Sequence, residues 1–232
     1  NDINCSIYVT LEPCSNFGKT SPCVNLISKK KFQEIFISIY DPDIRSFKKS
    51  IIKLKKKGIK VKIGVLSKKV KNFYNSYTIY KKNTLPFVTC KLAVSKDFYT
   101  INKKNKWLTN EQSRGRVHLM RSSHDCLLTS SSTVNSDNPS LNCRITGLYE
   151  SSPSRIILDK DLKIKIKSKV LIDAAKYKTI IFYNRYNKRK IKLLNKLKVK
   201  TYKISNNSND QLDLEDVLIK AKKLGYSRIF LE

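Results

Sequence analysis

Short runs of branched and aromatic residues, CSIYVT (5–10), EIFISIY (34–40) and IKVKIGV (59–65), alternate with helix-spaced stretches at 22–32, 46–57 and 67–82. Such alternation leaves the chain few folds, because parallel strands need a crossover of a dozen or more residues, which is normally a helix. A layered, largely parallel α/β sheet is therefore expected. The pattern pauses at YKKNTLP (80–86), which is polar and closed by Pro86. It then restarts with strands at 87–95, 125–130, 155–159, 179–183, 199–204 and 228–232, and helices at 109–122, 187–197 and 212–224. The expectation is two α/β domains, 1–84 and 85–232, the second incomplete, and 232 residues suffice for both. The chain opens on Asn1 rather than Met and is expected to be a piece of a longer protein.

Net charge is +30, carried by 48 Lys and Arg against 18 acids. A basic surface binds phosphate chains by releasing counterions, so nucleic acid is one class to weigh. The distribution speaks against it. Lysine is spread through almost every segment, and no nucleic-acid motif interleaves Arg with aromatics. No nucleic-acid partner is expected. No apolar run reaches the roughly 18 residues of a membrane helix, so no membrane partner is expected, and the cysteines in an unsecreted-looking chain point to an expected cytoplasmic location.

Residues 111–150 break the pattern, holding no Lys but four Arg: Arg114, Arg116, Arg121 and Arg144. An Arg fork can clamp a phosphate or carboxylate bidentately, which Lys cannot. A buried helix and strand with no room for Lys would read the same way, and composition leaves both open.

Six cysteines in a reducing compartment read as thiols or ligands. In TLEPCSNFGKTSPC (10–23), two Pro-Cys pairs place eight residues between their cysteines, which looks like half of a metal site. The segment resembles the TLEPCSHxGRTPPC stretch of bifunctional riboflavin-biosynthesis deaminase/reductases. That resemblance implies a remnant of a cytidine-deaminase-like zinc domain, with Cys14 and Cys23 as zinc ligands. The third ligand and catalytic Glu of the family lie in a His-Ala-Glu segment before TLEPC, and no such segment is present here. Glu12 belongs to TLEPC and is no substitute, so no deaminase catalytic residue is assigned. Asn16 stands where the family has His.

The same resemblance continues through FVTCKLAVSKD (87–97) and KWLTNEQSRGRVHLMRSSHDCLLTSSSTVNSDNPSLNCR (106–144). It implies a dihydrofolate-reductase-like domain that takes hydride from NADPH. Ala93, Trp107, Thr133 and Asp137 would contact NADPH. Lys91, Asn105, Arg121, Leu141, Arg144 and Glu232 would line the substrate, a pyrimidine bearing an opened ribose phosphate. Arg121 and Arg144 are expected to fork onto the phosphate, and Asp137 to sit at a turn. Phe98 replaces a usual Gly and Asn105 a usual Ser. The family runs on past this chain's end and implies a homodimer at full length. Two alternatives stay in view: a reductase-only protein with a decayed deaminase domain, and a basic nucleic-acid-binding protein. Zinc and NADPH are the cofactors implied.

Overall fold

The computed structural model describes residues 5–30, 32–100 and 108–232. The chain divides into two compact units, Asn1–Asn83 and Thr84–Glu232.

In the first unit β1 (Cys5–Leu11), α1 (Cys23–Lys29), β2 (Phe32–Ile39), α2 (Lys49–Lys56) and β3 (Lys60–Ile63) form a parallel sheet in the order β1-β2-β3. Alternate strand residues Ile35 and Ile37 turn inward and meet Val24 and Ile27 of α1 and Ile51 and Leu54 of α2. The lysines of α2 take its outer face, so one amphipathic stripe places the helix. The helix stops at Gly58, whose φ of +77° is open to glycine at little cost. No side chain of its own first turn caps it. The cap comes instead from Glu12, only 2% exposed. Its carboxylate accepts from Lys48 N–H at 2.9 Å, Asp41 N–H at 3.3 Å and Ser50 Oγ at 2.8 Å. Beyond β3, the single helix expected over 67–82 is two, α3 (Ser67–Phe73) and α4 (Asn75–Lys82). Tyr74, at φ −88° and ψ 11°, ends one and opens the other.

The second unit contains β4 (Phe87–Cys90), α5 (Glu111–Ser122), β5 (Cys126–Ser130), α6 (Ser131–Asp137), β6 (Ser154–Leu158), α7 (Lys169–Ile172), β7 (Thr179–Tyr183), α8 (Lys188–Lys196), β8 (Lys200–Lys203), α9 (Leu214–Lys223) and β9 (Arg228–Leu231). Its six strands are parallel, in the order β4-β9-β5-β6-β7-β8. Period-two alternation splits the core. Leu127, Ile157, Ile181 and Phe230 face one way and pack with Val134, Val170, Leu171 and Leu194. Cys126, Ile156, Ile180 and Ile229 face the other way, onto Val217 and Ala221 of α9. Burying each large aliphatic side chain contributes about 1.5–3 kcal/mol. Helices on both faces explain why β7 is buried along its whole length.

The strand expected over 87–95 is only four residues long, because its partner β9 ends at Leu231. Two helices, α6 and α7, were not expected. No described helix is long and apolar enough to cross a membrane.

At the centre of this unit lies Arg155 on β6, with 0% of its side chain exposed. It donates to Thr179 Oγ1 at 3.0 Å, Ser140 O at 2.9 Å, Val170 O at 3.0 Å, Tyr177 O at 3.0 Å and Asp173 Oδ1 at 2.7 Å. Removing the guanidinium orphans several buried acceptors. Arg155→Met should therefore cost about 3–5 kcal/mol in denaturant unfolding, and Asp173→Asn, which keeps an acceptor but takes the carboxylate from a buried cation, about 1–3 kcal/mol. A stability for Arg155→Met within 1 kcal/mol of the parent would contradict this role.

Candidate active site

Parallel strands end at one edge of the sheet, and in open α/β folds ligands bind outside those carboxyl ends. The ladder runs one residue past β4 and β9: Lys91 N–H bonds Leu231 O at 3.0 Å, and Glu232 N–H bonds Leu128 O at 3.2 Å. This places Lys91 and Glu232 side by side at the mouth, with Lys91 Nζ 3.8 Å from Glu232 Oε1.

Arg121 arrives from the end of α5. Its Nε lies 2.9 Å from Glu232 Oε2, its Nη2 2.8 Å from Oε1, and its Nη1 3.1 Å from Asn142 O. The expected phosphate fork of Arg121 is thus turned inward, at 8% exposure, onto a carboxylate 111 positions away in sequence. Its reach fixes Glu232 rather than leaving a free anion clamp.

The loop after α6 carries the other expected residues. Leu141 has φ +50°, and its side chain, 3% exposed, packs in the core with Leu127 and Val134, so any contact it makes at the mouth is through its backbone. The loop is held through its backbone: Ser140 O by Arg155, Asn142 O by Arg121, and Cys143 N–H by Ser152 Oγ at 3.0 Å. Arg144 follows, exposed and without an ion pair to any described residue. Sequence reasoning passed over His118, whose Nδ1 sits 3.1 Å from the same Asn142 carbonyl. The signal was available, since His118 and Arg121 lie three apart on one helix face.

Of the residues expected around NADPH, Ala93 is half-buried in the extended segment after β4. Thr133 stands in the first turn of α6, where its N–H donates to Ser130 Oγ at 3.1 Å. Asp137 is the last residue of α6 and accepts from Ser136 Oγ at 2.8 Å; the left-handed turn falls on Asn138, at φ +43°. These hydroxyl and carboxylate groups follow the carboxyl ends of β4 and β5. Nearby, Thr129 Oγ1 is buried without a hydrogen-bond partner. The donor set suits a cofactor rich in hydroxyls. Trp107 and Asn105 lie outside the described residues.

In the first unit Cys23 N–H donates to Cys14 Sγ at 3.2 Å, which ties the two cysteines into one turn. The neighbouring Cys14 sulfur, aided by burial, pushes the Cys23 thiol up. Asn16 Oδ1 accepts from Ser46 Oγ at 2.6 Å and pins this loop to the next. Among the described residues no three His, Cys, Asp or Glu side chains are grouped to hold a metal. Zinc takes four donors in a structural site and three protein donors in a catalytic one. Two thiols alone do not complete such a site, and no zinc step follows from them. A cavity of about 580 Å³ lined by Ile39, Tyr40, Pro42, Ile44 and Phe47 contains neither cysteine.

The sequence profile of the RibD C-terminal domain matches residues 86–232. The chain belongs to the RibD family. It is 34% identical over 228 residues to the riboflavin biosynthesis protein RibD of Bacillus amyloliquefaciens, covering 97% of this chain and 60% of that protein. It is 30% identical over 234 residues to RibD of Chlamydia muridarum, covering 99% and 62%. The chain thus spans about three-fifths of the length of these relatives. Among solved structures, Acinetobacter baumannii RibD aligns with a TM-score of 0.83 at 25% identity, covering 97% of this chain and 61% of that one. A diaminohydroxyphosphoribosylaminopyrimidine deaminase/5-amino-6-(5-phosphoribosylamino)uracil reductase from Thermotoga maritima aligns at 0.81 and 28%, covering 97% and 60%.

Burial, and then the nearby Arg121 and Arg144 charges, push the His118 imidazole below its usual range. The folded state then binds fewer protons than the unfolded one, so stability is full above the unfolded value of about 6.5 and declines as pH falls below it. An NMR titration of the two imidazoles should show His118 protonating below about 6.5; a midpoint at or above that value would contradict the placement.

Proposed function

We propose that this chain is part of a riboflavin-biosynthesis enzyme and that its second unit is the dihydrofolate-reductase-like reductase module. That module would reduce the ribosyl group of a phosphorylated aminouracil to ribityl. The observation that carries the reading is the convergence of Lys91, Arg121 and Glu232 at the carboxyl edge of a parallel sheet, beside a loop presenting Arg144. The first unit is read as the C-terminal part of a cytidine-deaminase-like module, and Cys14 and Cys23 as two of its zinc ligands. Deamination, zinc and a homodimer belong to the whole protein in this reading.

Ala93, Thr133 and Asp137 would hold NADPH, which would supply the hydride when bound. The chain's own residues place the substrate. Glu232, fixed by Arg121, keeps lone pairs to accept from ribose hydroxyls or a ring amino group. Lys91 lies on the same carboxylate and adds a donor. Arg144 is the exposed guanidinium, suited to take the phosphate bidentately. A ligand bridging Lys91 and Arg144 is thereby oriented before chemistry begins.

Arg144→Ala should weaken binding of the phosphorylated substrate by about 1.5–3 kcal/mol and leave a dephosphorylated analogue nearly unaffected. Calorimetry with both ligands decides it. Equal losses for the two would remove the phosphate from Arg144.

A further inference from the structure

Within the proposed reductase site, one group has no role in the reading above. His118 lies one turn before Arg121 on α5, half-buried, with Nδ1 3.1 Å from Asn142 O. A carbonyl oxygen can only accept, so Nδ1 carries the proton, and the neutral ring leaves a lone pair on Nε2. Arg121 Nη1 donates to the same oxygen at 3.1 Å. Two donors from successive turns of one helix therefore converge on a single backbone carbonyl, two residues before Arg144.

We infer that His118 is a positioning residue, holding the Asn142 carbonyl together with Arg121 and so fixing the loop from which Arg144 reaches the substrate phosphate. The rest of the loop shows why such a hold is needed. Leu141, at φ +50°, sits where a side chain is uncomfortable, and strain of that kind persists only when the surroundings over-determine it. Arg155 secures Ser140 and Ser152 secures Cys143. Between them, Asn142 is held by His118 and Arg121, and Asn142 Nδ2 reaches Tyr177 Oη only at 3.5 Å. Arg121 is itself committed to Glu232, so it cannot follow the loop if the loop moves. His118 is the donor dedicated to that carbonyl. A neutral ring suits the task, because a third full cation beside Arg121 and Arg144 would repel both, and burial together with those two charges favours the neutral form.

This inference rests on Arg144 binding phosphate, and the test separates the two. In the full chain, His118→Ala should raise KM for the phosphorylated substrate about five- to tenfold with kcat within about twofold of the parent, the size expected for losing one hydrogen bond that orients a contact. His118→Asn, whose amide nitrogen takes the place of Nδ1, should restore KM. His118→Gln, whose nitrogen takes the place of Nε2, should not. The inference is overturned if His118→Ala leaves KM unchanged, if it lowers kcat alone, or if Asn and Gln behave alike. If Arg144→Ala keeps the preference for the phosphorylated substrate, the phosphate assignment fails and the His118 inference falls with it. If Arg144→Ala loses that preference and His118→Ala keeps it, only the His118 inference falls.

Discussion

The reductase-like unit is organised around a charge that water does not reach. Arg155 is wholly buried on a central strand, and an ionised group there is tolerated only when its donors are met by well-placed acceptors. A guanidinium suits this position because it presents five N–H groups in a fixed plane. Those groups bond β7 through Thr179, the segment after α6 through Ser140, and α7 through Val170 and Asp173. Three separate segments are thus held at set distances from one strand. The loop leading to Arg144 inherits its starting point from a residue eleven positions further along the chain.

From that anchor outward the construction is almost entirely backbone. Ser140, Asn142 and Cys143 each offer a main-chain group to a side chain from elsewhere, which spares the loop's own side chains for other work. Leu141 fills the core and Arg144 points out. On the facing strands Lys91 and Glu232 come together because β4 and β9 are neighbours, although 141 positions separate them. Arg121 joins the two halves, bonding Glu232 on one side and Asn142 on the other.

Much of this was legible in advance, and the failures share a cause. The order of strands and helices follows from local periodicity, which places RIILD and TIIFY as strands; their burial comes from helices covering both faces of the sheet. The convergence of Lys91, Arg121 and Glu232 followed from the resemblance. What did not follow is which partner each group chooses. Arg121 was expected on an external anion and instead spends its fork on Glu232, a contact no local pattern encodes. Helix α6 was missed because Ser, Thr and Asn are weak helix formers, and its start depends on Ser130 capping Thr133. Leu141 was placed beside the substrate by the resemblance, and its left-handed backbone turns the side chain to the core.

The same distinction bears on one arginine of the lysine-free stretch, Arg121. Burial alone does not explain the stretch, since most of α5 is half-buried or exposed and Arg121 is its one buried residue. Among the described residues the buried cations are Arg121 and Arg155, and both are arginine. A lysine ammonium is compact and strongly hydrated, so it stays outside, where the surplus of positive charge accumulates. A guanidinium is less hydrated and can satisfy several acceptors at once, so it can be taken inside. The many lysines therefore set a diffuse field that raises the local concentration of any anionic ligand, without choosing among them. Choice falls to the few arginines whose positions the fold fixes.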